Sequence, residues 1–152
     1  MKIAITPHER IMLKIIAEKR HSMNRDNNVV DAKVSNLDSL QINIDGIMAE
    51  YAVCKRYNVL FDISTQPRSG SYDCIIKRNR IDVKSTRHPK GRLIKTLKSN
   101  VDVDIYVLAI VNDHEVELVG WMWSKEFVKP ENITDLGYGN IYCVDRSLLK
   151  PF

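Results

Sequence analysis

The stretch that decides the fold is Tyr72-Asp73-Cys74-Ile75-Ile76-Lys77-Arg78-Asn79-Arg80-Ile81-Asp82-Val83-Lys84-Ser85-Thr86. Tyr72–Ile76 and Arg80–Ser85 are strand-like, and Lys77-Arg78-Asn79 between them reads as a tight hairpin turn. A two-residue Arg78-Asn79 turn sets Asp73 opposite Lys84 and Ile75 opposite Asp82. Side chains alternate along strands, so Asp73, Asp82 and Lys84 share one face. Cys74, Ile76, Ile81 and Val83 share the other, an apolar set that faces a core and leaves the polar set toward a cleft or solvent. Two carboxylates this close repel each other when both are ionised. A hard divalent cation, Mg²⁺ or Mn²⁺, would relieve that while keeping several of its waters. The plainer account is an Asp73–Lys84 surface ion pair with Asp82 a solvated neighbour.

Outward from the hairpin, the preceding segment from Gln41 to Arg56 has helical periodicity, with Ile44, Ile47, Met48, Tyr51 and Ala52 on its apolar side and Asn58 as terminator. An N-terminal helix over about 7–20 starts at Pro7 behind a Thr6 cap, with Ile11, Met12, Ile15 and Ile16 at helical spacing. Residues 21–36 and 64–71 read as loops, and Val59–Ile63 as a short strand or extended stretch. After the hairpin, Pro89–Ser99 reads as a short basic helix with Leu93, Ile94 and Leu97 inward. Asp104–Val111 is a strongly apolar strand, expected at the middle of the sheet, and Glu115–Met122 alternates as its neighbour. Residues 112–152 supply further strands and loops, with Ile141–Val144 as a final edge strand. There is no internal repeat or interdomain linker, so residues 1–152 are read as a single α/β domain.

Composition bounds the function. Of the 152 residues, 44% are hydrophobic and 28% charged, the balance of a globular chain rather than a disordered one. No apolar run approaches the ~20 residues that cross a bilayer, and the N-terminus carries no secretory pattern. Cys54, Cys74 and Cys143 match neither a disulfide framework nor a zinc spacing, so free thiols in a reducing cytoplasm are expected. Charge is concentrated: Arg68 to Lys98 holds ten Lys/Arg against two acids, on a chain whose net charge is only +4. A basic strip on an otherwise acidic chain points to a polyanion, although a solvated lysine-rich surface is as common. His8, His21 and His88 have no partner at a ligand or triad spacing.

A glutamate in a helix, then an isolated aspartate, then Asp-X-Lys on a hairpin resembles the PD-(D/E)XK nuclease superfamily. Glu50 matches the helical glutamate, Asp73 the aspartate, and Asp82-Val83-Lys84 the signature tripeptide, followed by Ser85-Thr86. The resemblance covers about residues 41–111; Gly120-Trp121 in the tail is similar to small phage-encoded members, and resolvase-like members also fit. It departs from the motif in having Tyr72 before Asp73 in place of proline, and Asp82 where Glu is more frequent. The resemblance implies a restriction-endonuclease-like core, a central mixed β-sheet flanked by helices in the order α-β-β-β-α-β. It further implies a Mg²⁺- or Mn²⁺-dependent DNA endonuclease in which Asp73, Asp82 and the Val83 carbonyl ligate the metal. Glu50 would complete the shell, and Lys84 would orient the attacking water.

The nearby cations have a separate role. On a helix over 89–99, Arg92, Lys95 and Lys98 fall close to one stripe that could follow a phosphate backbone, with Arg87, His88 and Lys90 leading to it. Arg87 and Lys95 are the first choices as phosphate contacts. The expected partner is duplex or branched DNA, and the apolar segment Ile11–Ile16 could pair two copies. Two readings compete: a nucleic-acid-binding protein that keeps the fold without cutting, and an interaction protein whose basic face docks an acidic partner.

Overall fold

Thr6 begins the first helix by a reciprocal cap: its N–H donates to Glu9 Oε2 at 2.8 Å, and the Glu9 N–H donates to Thr6 Oγ1 at 3.3 Å. Pro7 occupies the first helical position, as expected. The computed structural model describes residues 1–26, 38–65, 72–97, 102–137 and 139–152. In chain order the elements are β1 (Lys2–Ala4), α1 (Pro7–Asp26), α2 (Ser39–Tyr57), β2 (Cys74–Ile76), β3 (Asn79–Thr86) and β4 (Leu93–Thr96). They continue with β5 (Ile105–Val111), β6 (Glu115–Trp123), α3 (Ser124–Phe127), β7 (Ile133–Asp135) and β8 (Asn140–Val144).

Among the described residues the strands form two sheets. The larger is mixed, in the order β1-β6-β5-β3-β2, with β3 and β5 parallel and the other neighbours antiparallel. The apolar strand β5 is central, as its composition predicts. Helices α1 and α2 cover one face through Leu13, Ile16, Met48, Ala52 and Val53, against Ile81, Val83, Val107 and Val116. Glu9 ties the two helices together, accepting hydrogen bonds from Tyr51 Oη (2.6 Å) and Lys55 Nζ (2.8 Å). Asn58 ends α2 in the left-handed conformation at φ 51°, the terminator role expected of it. The opposite face meets the small antiparallel sheet β4-β8-β7, with Leu93, Tyr106, Leu108, Phe127 and Val144 as a second core.

Four expectations are corrected. Helix α1 runs to Asp26 rather than ending near Arg20; residues 27–36 of the expected loop lie outside the described residues. Its exposed stripe is Ile11, Met12 and Ile15, whereas Ile16 belongs to the core. Val59–Ile63 is extended but joins no sheet, and Phe61 instead packs edge-on against Tyr51 at 5.5 Å. Ile141–Val144 lies in the middle of the second sheet, not at an edge.

The largest difference concerns 89–99, where a strand replaces the expected helix. The Gly91 N–H donates to the His88 carbonyl at 2.9 Å, closing a turn. Gly91 packs under Thr86 so closely that a Cβ would meet Thr86 Cγ2 at 2.3 Å. β4 then pairs with β8, from Leu93↔Val144 to Thr96↔Ile141. The apolar spacing of Leu93, Ile94 and Leu97 fits either period, and the partner strand decides between them. The implied α-β-β-β-α-β order therefore does not hold over the described residues, while the α/β class with a mixed sheet does.

Candidate active site

The β2–β3 hairpin turns at Lys77-Arg78, both at positive φ (48° and 70°), the two-residue turn whose twist suits antiparallel strands. Its register pairs Cys74↔Ile81, Ile75↔Arg80 and Ile76↔Asn79. The turn thus lies one residue earlier than expected, and the pairing is displaced by two. Parity survives such a displacement, so Asp73, Asp82 and Lys84 still share a face, but Asp73 lies toward Asp82 rather than Lys84.

Asp73 stands just before β2. Its N–H donates to the Ile81 carbonyl at 2.7 Å, and its Oδ2 accepts the Val83 N–H at 2.7 Å. The carboxylate thereby extends the pairing of β3 beyond the end of β2. A residue's carbonyl faces the same side of a strand as its N–H, so the Val83 oxygen lies on that same margin. Asp82 is buried, 8% exposed, because its face is covered by the second layer rather than by solvent. Its Oδ2 lies 2.7 Å from Lys84 Nζ, an ion pair between residues two apart on one strand. Parallel pairing sets Asp82 beside Tyr106 of β5 and Lys84 beside Leu108.

Glu50 projects from α2 with little exposure and is ion-paired with Arg20 at 3.5 Å. It remains within electrostatic reach of the hairpin. The Cys74 thiol is pushed up by its hydrogen bond with Cys54, then by burial, and further by the charges of Asp73 and Glu50. Among the described residues no group of three or more His, Cys, Asp or Glu is gathered tightly enough to hold a metal. The donor set nevertheless suits a hard cation that keeps most of its water, with Asp73 and Asp82 as carboxylate donors.

The structure disperses the basic strip. Arg87 is a structural clamp: its Nε and Nη2 bond the buried Asp45 of α2 at 2.7 and 2.9 Å, and Nη1 reaches Asp113 at 3.2 Å. Arg80 pairs with Asp102 and Asp104. Lys90 and Arg92 are exposed around the Pro89–Gly91 turn, and Lys98 lies outside the described residues. With β4 a strand, the Arg92–Lys95–Lys98 helical stripe does not form. Lys95 instead points inward, 6% exposed, and reaches the neighbourhood of Asp82 and Lys84.

Tyr106 escaped the sequence reading. Its hydroxyl is fully buried and has no hydrogen-bond partner among the described residues, and its ionisation is pushed up by burial and then by Asp82. Only the register of β3 with β5 brings it beside Asp82, so its position in a long apolar strand carried no signal. Among the described residues no helix is long and apolar enough to cross a membrane. No family model matches the chain, and no curated protein or solved structure matches it either.

Proposed function

We propose that the chain is a Mg²⁺- or Mn²⁺-dependent DNA endonuclease of the PD-(D/E)XK type, with its site at the start of the β2–β3 hairpin. The observation that carries the reading is the convergence of Asp73, Asp82 and Lys84 on one hairpin face, with a 2.7 Å contact between Asp82 and Lys84. Burying a carboxylate is costly unless it is paired, and an ordinary surface ion pair needs no such burial.

Asp73 and Asp82 would hold the metal, joined on the same margin by the Val83 carbonyl, with Glu50 acting through water from α2. When bound, the metal supplies Lewis acidity toward the phosphoryl oxygen and makes its water more acidic. Asp73 is held in place by the Val83 N–H, which fixes the orientation of one donor. Lys84, released from Asp82, would donate a hydrogen bond to the attacking water and stabilise negative charge building on the phosphate. Water adds to phosphorus and the P–O bond to the leaving oxygen breaks. Exposed Lys90 and Arg92 would contact flanking phosphates.

A second reading, binding without cleavage, is favoured by the closed Asp82–Lys84 pair and by the absence of a three-ligand group among the described residues. One assay separates them: cleavage of linear, nicked, branched and single-stranded DNA with Mg²⁺, comparing wild type with Asp82→Ala and Lys84→Ala. The nuclease reading expects wild-type cleavage and a loss of about 100-fold or more in each variant. Variants that cleave like wild type overturn the site; salt-sensitive binding without Mg²⁺-dependent cleavage gives the second reading.

A further inference from the structure

We infer that Lys95, carried by the small second sheet, is a second lysine of the site and holds a non-bridging oxygen of the phosphate under attack. The inference rests on the nuclease reading and deepens it: the β4-β8-β7 layer becomes a wall of the site rather than a scaffold behind it.

Position 95 is where the fold asks for an apolar residue. Along β4, Leu93 and Lys95 point inward while Ile94 and Thr96 alternate outward, and Leu93 is fully buried. The surrounding core is Val103, Tyr106, Leu108, Phe127 and Val144. Among the described residues Lys95 is the one lysine or arginine that is buried. A buried ammonium costs free energy that a methionine of similar length would not, so packing does not explain the residue. Its ammonium lies 5.4 Å from the centre of the Tyr142 ring and donates to the Thr96 carbonyl at 3.2 Å. A π face and a carbonyl moderate the desolvation but bring no countercharge of their own.

The nearby charges say what the ammonium serves. Burial pulls its proton affinity down, Lys84 pulls it down further, and Asp82 opposes them, so all three groups share one electrostatic neighbourhood. Asp73 and Asp82 balance Lys84 and Lys95, making the cradle neutral by formal charge. A divalent cation would bring it to +2, which a phosphodiester and a hydroxide, one negative charge each, return to neutrality. The Tyr106 hydroxyl, buried beside Asp82 without a partner among the described residues, is a second sign of polar capacity not used up inside this pocket.

This role differs from that of a lysine tracking the backbone. A tracking lysine acts mainly on affinity, and its loss reduces the salt dependence of binding by about one unit of slope. A lysine on the reacting phosphate acts mainly on kcat.

The test is cleavage kinetics of Lys95→Met on the best DNA substrate with Mg²⁺, measuring kcat, KM, the salt slope of binding and Tm. The proposal expects kcat to fall about 100-fold, with KM and salt slope near wild type and Tm equal or higher. Unchanged kcat overturns it, as does an intact kcat with raised KM and a reduced salt slope. If Lys95→Met lowers Tm, Lys95→Arg decides: recovered kcat supports the proposal, and an arginine variant as slow as the methionine one overturns it. A wild-type protein that cuts no DNA fails earlier, overturning the nuclease reading and the Lys95 role together.

Discussion

Replacing Arg87 by methionine separates a structural clamp from a DNA contact, the role expected of this residue from its place in the basic strip. Its guanidinium makes two hydrogen bonds to Asp45, whose side chain is 5% exposed, and one to Asp113, whose side chain is 66% exposed. The Asp113 arm contributes almost nothing measurable, as solvent-exposed pairs generally do. The Asp45 arm is different, because its loss strands a carboxylate inside the protein, typically at a cost of about 3–5 kcal/mol. Gln41 Nε2 still donates to Asp45 Oδ1 at 2.8 Å, which places the expected loss at the low end, about 3 kcal/mol. For a chain of this size that is a Tm lower by roughly 6–12 °C. The assay is urea unfolding of wild type, Arg87→Met, Asp45→Leu and the double variant. The double variant should recover most of the loss, because removing both charges leaves none buried and unpaired. The reasoning is refuted if Arg87→Met costs under about 0.5 kcal/mol, the range of ordinary surface changes. A concurrent fall in the salt slope of DNA binding would return Arg87 to the phosphate-contact role.

Other outcomes follow from single contacts. Burial alone would raise the Glu9 carboxyl, but hydrogen bonds from Lys55, Tyr51 and Thr6 outweigh it and hold the group at about 2, against an ordinary 4.5. Its contribution is therefore complete above pH 4.5 and lost as pH falls through 2, so Glu9→Gln should cost about 1–2 kcal/mol at pH 7. Urea midpoints should show that gap closing in acid, and a gap that widens contradicts the assignment. Tyr106→Phe removes a buried hydroxyl without a partner among the described residues, and should leave stability unchanged or raise it by about 1 kcal/mol. A loss above that in urea unfolding would mean the hydroxyl is bonded. Replacing Lys77-Arg78 by Asn-Gly relieves two left-handed backbone positions and should stabilise by about 1 kcal/mol, read as a higher Tm. No gain would place the turn elsewhere.

Much of the framework was legible from local pattern. The Thr6-Pro7 start, the α2 stripe and its Asn58 stop depend on residues within a turn or two of each other, where period and capping operate. The shared face of Asp73, Asp82 and Lys84 was equally readable, because strand alternation has period two and tolerates a turn displaced by one residue. Those features the amino-acid order determined by itself. Which charges meet was decided only in three dimensions: Arg87 finds Asp45 42 positions away, and Glu50 is engaged by Arg20 from α1. The same holds for β4, whose Leu93, Ile94 and Leu97 suit a helix or a strand until β8 pairs with it. That pairing turned Lys95 from an expected surface cation into a buried one beside Asp82, since alternation against a partner strand, not helical spacing, sets where its side chain points.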